Sequence, residues 1–101
     1  MKETISEVEI ESLTYHEKQK ILMDHYGFEE TLKKTSEELN ELLEVIDLAI
    51  ETREIDTERF IDESADVFNM LDKLFRKFSI SSNVEERMLF KVDRQIRRIK
   101  K

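Results

Sequence analysis

The sequence predicts an all-α protein, a four-helix antiparallel bundle completed by self-association. Three observations carry that prediction. The 101 residues contain one Gly and no Pro, so little is present to punctuate strands, hairpins or long linkers. Leu, Glu and Lys, which lose little conformational freedom in a helix, are abundant. Apolar residues recur at helical spacing along most of the chain. The length suits one domain, and four helices of this size enclose only a thin core, so a partner subunit is expected to cover what one copy leaves bare. A homodimer or homotetramer is the expected assembly.

The elements follow in order. Residues 1–13 form an acidic N-terminal arm with scattered apolar positions and no clear start signal, which reads as a frayed arm or a short helical extension. Residues 14–101 form the helical domain. Thr14 followed by Glu17 matches a capping box, and Gly27 is the one residue suited to a left-handed stop. A first helix over 15–26 follows, with Phe28 packing back over its end. From Glu29 to about Thr52, Leu32, Leu39, Leu42, Leu43, Ile46, Ala49 and Ile50 trace one stripe of a long amphipathic helix. Asp56 or Thr57 caps a third helix, whose stripe is Phe60, Val67, Leu71, Leu74, Phe75 and Phe78. A polar break at 79–83 precedes a last helix, for which Ser82 and Glu85 repeat the capping-box pattern. The second and third helices are expected to pair antiparallel, stripe against stripe.

Composition narrows the function classes. Without cysteine there is neither a disulfide framework nor a thiolate metal site. Residues 1–20 are too acidic for a signal peptide, and no apolar run approaches membrane length, so a soluble cytoplasmic protein is expected. The formal charge of −7 disfavours nonspecific binding to nucleic acid, although residues 91–101 are strongly basic. A single Gly rules out a Gly-rich phosphate loop, so any bound phosphate must be held by metal and basic side chains.

Two acidic motifs stand out. Glu37, Glu38 and Glu41 lie on the second helix, and Glu63 and Asp66 on the third, so each helix carries carboxylates three residues apart on one flank. At 100° per residue, Glu38 and Glu63 each lie roughly 80° from the centre of their own apolar stripe. Glu41 and Asp66 match each other a little further out. In an antiparallel pair these flanks converge at the rim of the core. Four carboxylates in one cleft repel unless a cation neutralises them, and an all-oxygen set suits Mg2+ or Mn2+ bound to substrate phosphates. Glu37 or Glu41 is then placed to orient or deprotonate an attacking water. With 24 acidic residues in the chain, chance supplies roughly one such triplet. The two motifs on consecutive helices, at matched angles, carry the signal.

EELNE at 37–41 and ESAD at 63–66, separated by 21 residues, resemble the EExxE and ExxD motifs of the all-α nucleoside triphosphate pyrophosphohydrolases, in particular the MazG-like family. The resemblance covers roughly residues 32–74. It implies that Glu38, Glu41, Glu63 and Asp66 ligate Mg2+, with Glu37 a neighbouring acid. It further implies cleavage of a nucleoside triphosphate to the monophosphate and pyrophosphate, in house-cleaning or pool control, by a helical bundle built through oligomerisation. Asn40 departs from the small Gly that many MazG-like sequences carry there.

Other residues are candidates for substrate. Lys91 and Arg94 resemble a K-x-x-R pattern found late in MazG-like chains and suit phosphate oxygens. Basic residues in a helix's last turns also complement its dipole, which suffices for Lys100 and Lys101. Asn69 and Lys73 extend the flank of Asp66 as further phosphate contacts or ordinary surface residues. Gln19, on the Tyr15, Leu22 and Tyr26 stripe, offers a two-sided amide to a base edge or, alternatively, a core-rim group with a backbone partner. His16 and His25 lack the Glu-x-x-His spacing of di-iron bundles and read as surface residues. The rival to an enzyme is a non-catalytic helical interaction protein with a solvated acidic face.

Overall fold

The computed structural model describes residues 5–100, in four helices: α1 (Glu7–Ser12), α2 (Tyr15–Thr52), α3 (Thr57–Phe78) and α4 (Ser81–Ile99). The described residues contain no strand. The first four residues of the acidic arm, and Lys101, lie outside them. No described helix is long and apolar enough to cross a membrane.

The arm starts more definitely than its composition suggests. Ser6 accepts a hydrogen bond from the Glu9 N–H, and the Glu9 carboxylate reaches back to Ser6, so a capping box opens α1. Thr14 and Glu17 form the expected box at the start of α2. Within α2, Gly27 leaves helical geometry at φ 81° and ψ 171°, a region open essentially to Gly alone. The break divides α2 into two limbs at the position the sequence predicts, but in this extended positive-φ geometry rather than in the left-handed helical conformation expected of a stop. Phe28 then meets Phe78 of α3 edge to face, with centroids 5.5 Å apart.

Arg53 closes α2 and Ser79 closes α3, both in the left-handed region. Asp56 caps α3 by accepting from the Arg59 N–H. The start of α4 differs from expectation. It begins at Ser81 after Ile80, with no side-chain cap, so Ser82 and Glu85 both lie within the helix rather than forming a box at its start. The chain has already turned at Ser79, where the Ile80 N–H returns to Phe75 O at 3.0 Å.

Among the described residues the one close helix pairing is α2 with α3. Its sense is antiparallel: Arg59 reaches Glu44, Glu63 meets Glu38 and Glu41, and Lys73 meets Gln19. The paired faces differ from those predicted. Buried on α2 are Thr31, Thr35, Glu38 and Val45, while Leu39, Leu43, Ile46 and Ile50 of the predicted stripe are exposed. Buried on α3 are Val67, Met70 and Lys73, while Phe60 and Phe78 are exposed. The packed face of α2 is rotated by roughly 60° from the centre of its apolar stripe, toward the acidic flank. Thr31 and Thr35 tolerate this because each hydroxyl donates within its own helix, to Gly27 O at 2.7 Å and Thr31 O at 2.6 Å. Val45, Val67 and Met70 are the only large apolar side chains buried among the described residues. No residue of α4 is buried and its contact with α3 is slight, so one copy does not close a four-helix bundle.

Candidate metal centre

The rotation of the α2–α3 interface moves the acidic flanks from the rim of the pairing toward its middle. Glu38, Glu41, Glu63 and Asp66 each contribute a carboxylate oxygen to a group whose members all lie within 4.8 Å of one another. Glu38 is 5% exposed, Glu63 is half-buried, and Glu41 and Asp66 open to solvent. The i,i+3 spacing on each helix supplies two oxygens per side, and the antiparallel register brings the sides together.

The electrostatics are those of an under-neutralised site. A hydrogen bond shared with Glu63, then the charges of Glu38 and Glu63, hold the Glu41 carboxyl above its usual range. Desolvation, followed by the charges of Glu38 and Glu63, does the same for Asp66. Among the described residues Lys34 is the one cation paired with the cluster, its Nζ 3.0 Å from Glu38 Oε1. That hydrogen bond is the main cause of its raised pKa. The spacing Lys34–Glu38 is i,i+4, a signal present in the sequence but not singled out there. Glu38 Oε2 and Glu63 Oε2 are buried without any hydrogen-bond partner. Buried carboxylate oxygens without donors are costly, and a divalent cation coordinated by oxygens would satisfy both. The donor set therefore fits Mg2+ or Mn2+.

Other predicted residues fall elsewhere. Glu37 is exposed, sits 3.6 Å from Lys34 and lies outside the group of four. It borders a groove of about 470 Å3 that continues along the pairing from Lys34 past Leu22, Tyr26 and Met70 to Lys73. Gln19 is buried and its amide is fully engaged. Three acceptors, Asn69 O at 3.0 Å, Asp72 Oδ2 at 2.9 Å and Tyr15 Oη at 2.9 Å, share the two N–H groups of Nε2, while Oε1 accepts from Lys73 Nζ at 2.9 Å. This is the core-rim environment with a backbone partner that the sequence offered as the alternative to base reading. Asn69 holds the Tyr15 hydroxyl at 2.6 Å. Lys91 and Arg94 line a shallow hollow formed by α4 alone, and no ion pair joins them to the carboxylates. His16 and His25 are exposed. The Asp72–Arg76 pair and the burial of Lys73 were not legible in advance, although Asp72 and Arg76 stand at i,i+4.

No protein-family model, curated protein or solved structure matches this chain.

Proposed function

We propose that the chain is a Mg2+-dependent nucleoside triphosphate pyrophosphohydrolase of the MazG-like kind, a cytoplasmic enzyme that releases nucleoside monophosphate and pyrophosphate. One observation carries the reading: four carboxylates from two helices share one cleft, and two of their oxygens are buried and unpartnered. A solvated acidic face, the rival explanation, has no reason to bury Glu38 to 5% exposure in so small a core.

Mg2+, or Mn2+ in its place, held by Glu38, Glu41, Glu63 and Asp66 supplies Lewis acidity and charge neutralisation toward the phosphate chain. The chain's own residues do the rest. Glu41, which like Asp66 opens to solvent, is assigned to orient the attacking water or take its proton. Glu37, one residue before Glu38 and oriented toward Lys34, flanks that position. The groove past Leu22, Tyr26 and Met70 offers an apolar wall to a nucleoside directly beside the carboxylates. Gln19 holds Lys73 at the far end of that groove and contributes to substrate binding through it.

Self-association belongs to the same reading. Leu39, Leu43, Ile46 and Ile50 form an exposed apolar row on α2, and α4 exposes Met88, Leu89, Val92 and Ile96. Surfaces of that kind, on a chain whose described residues include three buried large apolar side chains, are suited to a second copy. In the assembled form Lys91 and Arg94 are assigned to the phosphate chain.

The test is to incubate the protein with a panel of canonical and modified nucleoside triphosphates and Mg2+, measuring pyrophosphate and monophosphate. Release from at least one nucleotide, lost in Glu38→Gln and Glu63→Gln, is the expected result. No release from any member of the panel refutes the activity.

A further inference from the structure

A second cavity, of about 480 Å3, lies across Gln19 and Lys73 from the groove beside the carboxylates. Gln19 separates the two by helical geometry. Leu22 and Tyr26 of the first groove project to one side of it on α2, whereas His16, Lys20 and Asp24 of the second project to the other. From α3 come Lys73, Arg76 and Lys77. Four cationic side chains thus border a space around which two carboxylates, Asp24 and Asp72, are found. The rest of the protein is strongly acidic, with a net charge of −7, so this concentration runs against the overall balance.

Lys73 is the informative member. It is 8% exposed, yet among the described residues no carboxylate forms an ion pair with its ammonium. Nζ donates to two neutral oxygens, Gln19 Oε1 at 2.9 Å and Asn69 O at 3.3 Å, which leaves one of its three N–H groups without an acceptor. The adjacent carboxylate, Asp72, accepts from the Arg76 Nε and the Gln19 amide, both at Oδ2. Desolvation accordingly pulls the Lys73 pKa down. A buried ammonium held only by neutral acceptors is costly unless an anion arrives. Arg76 adds planar donors: Asp72 fixes its Nε and His16 lies 3.3 Å from Nη1, so the remaining terminal N–H groups stay available. Lys20 and Lys77 supply flexible charges at the rim, Lys20 now against Asp24 and Lys77 over the Phe28 ring.

We infer that this cavity is an anion site for a phosphate-bearing small molecule, separate from the carboxylate cleft and independent of divalent metal. Arg76 presents the paired donors that match phosphate oxygens, Lys73 gains its missing counter-ion, and Lys20 and Lys77 close over the ligand as point charges. The volume accommodates a pyrophosphate-sized anion with room for water. Lys73 borders both this cavity and the proposed substrate groove, but Lys20, Arg76 and Lys77 belong to this cavity alone, so anion binding here does not depend on hydrolase activity.

The experiment titrates inorganic phosphate and inorganic pyrophosphate, in separate arms, into the full chain in EDTA, followed by amide shifts in two-dimensional NMR at constant ionic strength. Saturable shifts centred on His16, Lys20, Arg76 and Lys77 are expected in at least one arm, with chloride at the same ionic strength giving none. Arg76→Gln is expected to weaken binding about tenfold or more, the value of one charge-assisted contact. Lys77→Gln, at an exposed position, weakens it severalfold without a burden on folding. Glu38→Gln leaves it unchanged. Absence of saturable shifts in both arms overturns the inference. So does equal binding by wild type and Lys77→Gln together with Arg76→Gln, or loss of binding in Glu38→Gln.

Discussion

Replacing Glu38 by Gln is expected to change the sign of its effect on stability according to whether divalent metal is present. Glu38 and Glu63 bring carboxylate oxygens within 4.8 Å of each other. At that separation two unit charges repel by about 1 kcal/mol in a water-like medium and by about 3.5 kcal/mol at an effective dielectric of 20. Against this stands the ion pair to Lys34, whose side chain is 55% exposed. Exposed pairs of that kind contribute about 1 kcal/mol at most. In EDTA, therefore, Glu38→Gln removes more repulsion than attraction, and its amide can donate to the carboxylates that remain. The net gain of about 1 kcal/mol corresponds to a melting temperature higher by roughly 4–8 °C for a domain of this size. With saturating Mg2+ the order reverses, because the wild type gains the binding free energy of the ion and the variant has lost a ligand. Thermal melts of both proteins, in EDTA and over a Mg2+ series, measure all four values. A variant that melts below wild type in EDTA, or a Mg2+ response equal in the two proteins, refutes the reasoning.

Three more outcomes follow from particular residues. Gly27→Ala meets no steric obstacle, since nothing lies within 4 Å of the added Cβ, so its cost is that of the backbone geometry alone. About 1–3 kcal/mol of destabilisation is expected in chemical denaturation, and a neutral result contradicts the break in α2. The Glu17 carboxyl is held below its usual range by its hydrogen bonds to the backbone N–H and then the hydroxyl of Thr14. A depressed folded value means that this cap is fully present above the ordinary Glu range and is lost as pH falls through the folded value. Hydrogen-exchange protection at residues 17 and 18, taken relative to the intrinsic rate at each pH, is expected to fall on acidification in wild type and to depend less on pH in Glu17→Gln; identical protection profiles argue against the cap. Leu43 is half exposed on the apolar row of α2, so Leu43→Asp costs a single copy little but disrupts a covered interface. Sedimentation is expected to show an oligomeric wild type and a lighter variant, and a monomeric wild type removes the self-association proposal.

The candidate site was readable as pairs, and its position was not. Glu38 with Glu41, and Glu63 with Asp66, share a flank because an α-helix places residues three apart side by side whatever surrounds it. The cap at Thr14, the break at Gly27 and the cap at Asp56 are likewise local properties of a few neighbouring residues, and each appears where the sequence places it, whereas the expected cap of α4 does not form. The α1 cap was equally local. Ser6 and Glu9 carry the same pattern as Thr14 and Glu17, obscured by the sparse apolar residues around them.

Which face of each helix meets the other was a tertiary decision. Periodicity identifies Leu39, Leu43 and Ile46 as one side of α2, but it does not say which neighbour that side meets. In one copy α3 takes the adjacent face, where Thr31 and Thr35 have satisfied their hydroxyls internally and Val45 meets a short apolar patch. That choice buries Glu38 and Lys73, sets Lys34 against the cluster and leaves two carboxylate oxygens without partners. The amino-acid sequence by itself determined the helices and the residues that share each flank, because hydrogen bonding and helical pitch act over a few residues. The burial of those flanks, and with it the charge state of the site, was decided only when two helices met and excluded water from the face between them.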